Sequence, residues 1–265
     1  MWRWFCAALV LYMASCGSDR VAGRDNAPPP PAAAHADPDL ARDQAEYVED
    51  VMAFTHTASS DEVRAQMANP VLLRDEWSAW EQQGDMTPDR IQAFYKQTKS
   101  YIYELGQWHL FAPNQRGSDI ALFADLRAKR PKNVLDFGGG VGLLALPLAR
   151  DGLDVTLADL DSTSLAFAQF RAQRRSIALK IWKSDVEPAP PDAKYDVILC
   201  MDVLEHLPRD VLHDVVDKLI RLKHAKTEVI INAPFGHSEH TPMHFDLTDD
   251  TEQQIARLRT ELPAN

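Results

Sequence analysis

The chain has 265 residues, with 28 Lys and Arg against 39 Asp and Glu, a formal net charge of −11 at neutral pH. That length is ample for one hydrophobic core. The acidic balance runs against a nucleic-acid partner, because a phosphate backbone is repelled where no basic patch gathers. Three cysteines make no disulfide framework, and the basic runs at 171–175 and 221–226 read as solvated faces.

Residues 1–13 carry a single basic residue, Arg3, and an apolar stretch, followed by Ala14-Ser15-Cys16-Gly17. This looks like a short secretory signal ending in a bacterial lipobox, with Cys16 as a lipid anchor. The apolar part is too short to span a bilayer as a helix. The Ala/Pro-rich stretch 27–38 reads as a semi-rigid tether. The expected organisation is a signal-like segment 1–16, a linker 17–40, a helical lid region 41–130 and an α/β domain 131–265.

Within the lid region, Thr87-Pro88-Asp89-Arg90 is a helix start, with threonine as N-cap and proline in the first turn. Ile91, Phe94, Tyr95, Ile102, Leu105 and Trp108 recur at three- and four-residue steps, as one amphipathic helix requires. Tyr95 and Tyr101 are the candidates for lining a substrate cavity, and plain packing explains each equally well. Ser118 opens a further helix over 119–129.

From residue 133 onward, apolar runs alternate with helical spacers, the pattern of a parallel sheet with helices on both faces. The first run leads into Asp136-Phe137-Gly138-Gly139-Gly140-Val141-Gly142. Glycine lets such a turn adopt positive φ and press its backbone against a ligand. A dinucleotide fingerprint fits Gly140, Gly142 and Ala145, with Asp159 for a ribose. It leaves Gly138 and Gly139 unexplained and sets Asp136 where an anionic pyrophosphate gains nothing; a cofactor with a cationic amino-acid end would gain.

The spacing of Asp136, Gly138, Gly140 and Gly142 resembles the first motif of class I S-adenosylmethionine (SAM) methyltransferases. Three further stretches extend the resemblance over residues 130–235: a second strand ending at Asp159-Leu160, Asp185-Val186 after the third, and 195–208 with Leu204-Glu205-His206 after the fourth. The resemblance implies a Rossmann-like sheet of order 3-2-1-4-5 and S-adenosylmethionine as cofactor. Asp136 and the three glycines would cradle it, and Asp159, beside Leu160, would accept the ribose hydroxyls. Asp185 would accept the adenine amino group, the Val186 N–H would meet the ring, and Met201 would lie against the cofactor. Asp161 or Ser162 fits a helix N-cap better than Asp159 does. The family's terminal hairpin is missing from the 33 residues after Asn232, so either the sheet stops at five strands or a partner covers the fifth-strand edge.

His206 stands where a general base would take the acceptor's proton; holding the loop after the fourth strand is its structural alternative. Asp202-x-x-Glu205-His206 also resembles the metal-binding motif of ubiquinone-pathway O-methyltransferases and small-RNA 2′-O-methyltransferases, with aspartate replacing the first glutamate. Asp202, Glu205 and His206 are therefore an alternative divalent-cation site. The loop 234–246 holds His237, Glu239, His240, His244 and Asp246; His240 and His244 are the substrate-binding candidates, a metal site the second reading. The expected function is methyl transfer from S-adenosylmethionine to O or N of a small molecule. The alternatives are a degenerate SAM-fold envelope lipoprotein or binding module, a metal-dependent RNA ribose methyltransferase, and a dinucleotide oxidoreductase. A cytosolic cofactor implies a cytoplasmic protein; a lipidated Cys16 would make it a membrane-anchored one instead.

Overall fold

Side chains alternate strictly along the central strands, and the alternation builds two layers of core. The computed structural model describes residues 39–190, 193–234, 241–245 and 247–263, excepting the side chains of 113 and 114. The signal-like segment, Cys16, most of the linker and His240 lie outside the described residues. Strands β1 (Val134–Phe137), β2 (Val155–Asp159), β3 (Lys180–Lys183), β4 (Tyr195–Met201) and β5 (Lys223–Asn232) pair in parallel in the order 3-2-1-4-5. This is the expected Rossmann-like α/β sheet, and β5 is an edge of it among the described residues.

Val134, Val155, Leu157, Val197 and Leu199 face one layer, with Phe123 and Leu126 of α6 (Pro113–Lys129), Leu148 of α7 (Ala145–Arg150), and Leu165 and Ala168 of α8 (Thr163–Arg174). Leu135, Phe137, Ala158, Ile198 and Cys200 face the other. They meet Leu212, Val216 and Leu219 of α9 (Arg209–Arg221), and Ile255 and Leu258 of α10 (Thr248–Thr260). Each such aliphatic side chain taken fully from water contributes roughly 1.5–3 kcal/mol. Ser162, not Asp159, caps α8, its Oγ accepting from Leu165 N at 3.1 Å.

The N-terminal helices α1 (Leu40–Thr55), α2 (Ser60–Met67), α3 (Leu72–Glu81), α4 (Pro88–Gln97) and α5 (Ser100–Gly106) add a third layer. Thr87 caps α4 as expected. The single helix expected through Trp108 is instead broken at Thr98, whose backbone is extended. The Thr98 hydroxyl donates to Glu76 at 2.6 Å and accepts from Ser100 N at 3.2 Å, so side-chain hydrogen bonds replace the helical ladder there. After α5 the chain widens into a π-helical turn, Gln107–Phe111, and α6 starts at Pro113, earlier than Ser118.

The two basic runs are solvated only in part: Arg174, Arg221 and Lys226 are exposed, but Arg171 and Lys223 are buried. Arg171 is 8% exposed and Asp50 1%, and Asp50 takes Arg171, Arg174 and Arg175 at 3.6, 3.1 and 2.8 Å, tying α1 to α8. Lys223 is buried, its Nζ donating to the carbonyls of Leu258 and Glu261. Among the described residues no helix is long and apolar enough to cross a membrane. Removing one partner of a buried ion pair strands the other. Asp50→Ala is therefore expected to lower the unfolding free energy by about 3–5 kcal/mol in urea titrations, far more than truncating exposed Asp61.

Candidate active site

A parallel sheet brings all its strand ends to one side, and here each of four strands ends in or beside an aspartate. Asp136 sits in β1, Asp159 closes β2, Asp185 follows β3 by two residues and Asp202 follows β4 by one. The glycine turn lies between them. Gly138 and Gly140 take φ of 74° and 51°, conformations L side chains resist. A Cβ at Gly138 would run into the Val203 side chain, and one at Gly139 into Leu157 and Asp136 Oδ2. The Gly140 N–H donates to Asp159 Oδ2 at 2.7 Å, and Arg171 Nη1 donates to the Val141 carbonyl at 2.7 Å, so the turn is anchored on both sides.

The charges here are costly. Asp136 is 1% exposed and its Oδ2 has no hydrogen-bond partner, so burial first, and then neighbouring Asp159, push its carboxyl up to about 7. Burial likewise raises Asp159 to about 6, although N–H groups of Gly140 and Leu160 (2.6 Å) support its charge. Burial works against Asp185 too, but Lys96 Nζ of α4 at 2.7 Å and the Asp161 N–H at 2.8 Å outweigh it and hold Asp185 below the usual carboxylate range. Four carboxylates converging with an orphaned buried oxygen suit a cationic ligand and oppose a pyrophosphate.

Beyond Asp202 the chain makes a tight turn, Leu204–His206. Glu205 is 2% exposed with neither oxygen hydrogen-bonded, and burial followed by Asp202 raises its carboxyl to about 9. Burial, then His244, lowers His206 to about 3, so its imidazole is neutral. Its Nδ1 lies 3.3 Å from the Met243 carbonyl and 3.3 Å from the Tyr95 hydroxyl. A carbonyl only accepts, so Nδ1 holds the proton and Nε2 the lone pair. Tyr95 and Tyr101 belong to an aromatic wall with Trp77 and Phe94, and Tyr101 Oη reaches Met243 Sδ at 3.8 Å. Burial raises both phenols and pushes Glu104, on the adjoining helix, up to about 7.

The structure brings Asp136, Gly138, Gly140 and Gly142 into one strand-turn segment with Asp159 bonded to it, while Leu160 follows the end of β2 and Met201 closes β4. Val186 is 58% exposed, and its N–H, expected to meet a ring, donates instead to the Lys183 carbonyl. The metal triad of the sequence is corrected in one member. Glu205, His206 and His244 have ligand atoms within 4.8 Å of one another, whereas Asp202 is not among them. Asp202 has φ of 56° and its Oδ1 accepts from Asn232 at 2.5 Å, because the helical turn that would align positions 202 and 205 starts only at Leu204. Lys96, Glu104, His109 and Asp119 were missed: a lysine on a polar helix face and pairs ten residues apart across a helix break carry no periodic signal.

Residues 108–244 match the family model described as "Methyltransferase domain". A segment of 80 residues is 44% identical to the ubiquinone biosynthesis O-methyltransferase of Sodalis glossinidius (strain morsitans), covering 29% of this chain and 32% of that enzyme. The counterpart from Rickettsia akari (strain Hartford) is 35% identical over 74 residues, 28% of this chain and 30% of that one. The chain thus spans about a third of the length of these relatives. Magnesium protoporphyrin IX methyltransferase of Synechocystis PCC 6803 is a looser neighbour, 21% identical over 69% of this chain and 78% of that one, with a TM-score of 0.42.

Asp136 and Asp159 hold protons to about 7 and 6 in the ligand-free fold, above the unfolded carboxylate value, so ligand-free stability is expected to fall as pH rises through 4–7. A cationic ligand needs the ionised forms, so affinity for S-adenosylmethionine should weaken as pH drops from 8 to 5. Asp136→Asn should melt higher than wild type at pH 8, match it near pH 4 and bind that ligand at least about tenfold more weakly, read by calorimetry and thermal unfolding.

Proposed function

The chain belongs to the methyltransferase-domain family, and from that premise we propose that it transfers a methyl group from S-adenosylmethionine to a hydroxyl oxygen of a small molecule in the cytoplasm. The observation that carries this reading is the orphaned, buried Asp136 oxygen beside a positive-φ glycine turn, within a ring of strand-tip carboxylates. That donor set fits a ligand bearing ammonium and sulfonium charges. When bound, S-adenosylmethionine supplies an electrophilic methyl on sulfur for in-line displacement by the acceptor oxygen; the sulfur leaves as the neutral thioether, and the acceptor proton must go elsewhere.

The residues on the acceptor side meet those demands. Trp77, Phe94, Tyr95 and Tyr101 form an aromatic wall that excludes water and suits a planar acceptor. His206 Nε2, left unprotonated by the Met243 carbonyl, is the group that takes the acceptor proton, and because burial makes it a weak base in the ligand-free fold it suits an acidic hydroxyl such as a phenol. Tyr95 Oη at 3.3 Å steadies the ring. Burial holds His206 and Glu205 uncharged in the ligand-free state, so this half of the cleft favours neutral acceptors.

Glu205, His206 and His244 favour a second role for the same place: holding a divalent cation. A buried carboxyl group with both oxygens unbonded, which a bound cation would ionise, next to a neutral imidazole is a fitting N/O ligand set. A cation there would act as a Lewis acid toward the acceptor oxygen.

Turnover is read most directly with S-adenosylmethionine and a panel of phenols and catechols, following S-adenosylhomocysteine by mass spectrometry. His206→Ala should cut turnover by at least about 100-fold with S-adenosylhomocysteine affinity unchanged. Glu205→Gln and EDTA treatment should produce matching losses if a cation is held, with added Mg²⁺, Mn²⁺ or Zn²⁺ restoring only the EDTA-treated wild type. Absence of binding to S-adenosylhomocysteine would overturn the assignment.

A further inference from the structure

An amino-acid end carries two opposite charges. The strand-tip carboxylates suit an ammonium group, but none of them suits the carboxylate beside it, and Lys96 is committed to Asp185. The π-helical turn Gln107–Phe111 offers a group of the right kind. His109 within it is 9% exposed, and its Nδ1 bonds Asp119 Oδ2 at 2.8 Å; Gln115 Nε2 donates to the other Asp119 oxygen at 3.1 Å. The Asp119 carboxylate accepts from Nδ1–H and supports an imidazolium, and in that form Nε2–H is the donor left for an anionic ligand.

The turn rests on the glycine loop. Leu110 packs in one cluster with Val141 and Leu143, and Leu105, one turn earlier, lies against Gly140. Asp136 and Asp202, at the tips of β1 and β4, lie within electrostatic reach of the His109 ring. A π turn interrupts regular hydrogen bonding and so costs stability, and such turns gather at functional sites.

We propose that His109, oriented by Asp119, binds the carboxylate of the cofactor's amino-acid end while Asp136 takes its ammonium, so that this pair selects nucleosides that carry an amino acid. The inference rests on the S-adenosylmethionine reading above. Lys96, Asp159 and Asp185 lie toward β2 and β3, on the nucleoside side. His109 reads the other end.

Three ligands separate the contributions: S-adenosylmethionine, its decarboxylated form, which keeps the ammonium but lacks the carboxylate, and 5′-methylthioadenosine, which lacks both. By calorimetry the wild type should bind S-adenosylmethionine at least about tenfold more tightly than the decarboxylated form. His109→Asn retains an amide able to reach Asp119 but has no counterpart of Nε2. It should abolish that preference, leaving affinity for the other two ligands and the melting temperature unchanged. His109→Ala should lose the preference as well. If His109→Asn keeps the preference, or if both variants weaken all three ligands by one common factor, His109 is a strut and the inference is overturned. If the wild type binds the three equally, the inference falls while the cofactor reading stands. If it binds none, both fall together.

Discussion

The structure turns on a concentration of negative charge that the ligand-free protein does not balance. Parallel strands end together, and four of them present an aspartate there, Asp136 buried and the other three half-buried. Asp185 has Lys96, and Asp159 has two backbone N–H groups, but Asp136 has an oxygen facing no donor. Such a group persists in a fold only when something outside the stability of the empty protein maintains it. The cationic ligand proposed above would maintain it, and the glycine turn beside it, shaped by positive φ and crowding from Val203 and Leu157, leaves backbone rather than side chains at its surface.

The N-terminal helices complete the cleft. Tyr47, Val48 and Val51 of α1 join Ile102, Leu110, Val141 and Phe167 in one buried cluster, so the layer above the sheet and the glycine loop share packing. Asp50 fastens the same helix to α8 through three guanidinium groups, and Arg171, held there, also secures the loop through the Val141 carbonyl. One buried arginine therefore links the lid's anchor to the cofactor turn.

Much of this was legible in the sequence, for physical reasons. Buried parallel strands must read as apolar runs, and a turn that clears a ligand must read as glycines; these gave the parallel sheet and the Asp136–Gly142 turn, while the strand order came from the family resemblance. What stayed hidden depends on where separate segments land. Arg171 and Arg175 look solvated until α1 brings Asp50 to them. His244 joins Glu205 and His206 only because the chain returns after β5, pinned by the Phe245 N–H on the Glu205 carbonyl at 2.9 Å. The break at Thr98 depends on Glu76, twenty-two positions away, and no local propensity announces it.

Helix α4 carries a consequence of its own. Tyr95 and Lys96 are neighbours in sequence, yet Tyr95 reaches His206 after β4 and Lys96 reaches Asp185 after β3. A rigid helix cannot move one without the other. Any motion of the helix that draws Lys96 from Asp185 also shifts Tyr95 against His206. The loops after β3 and β4 thus answer to one mechanical element.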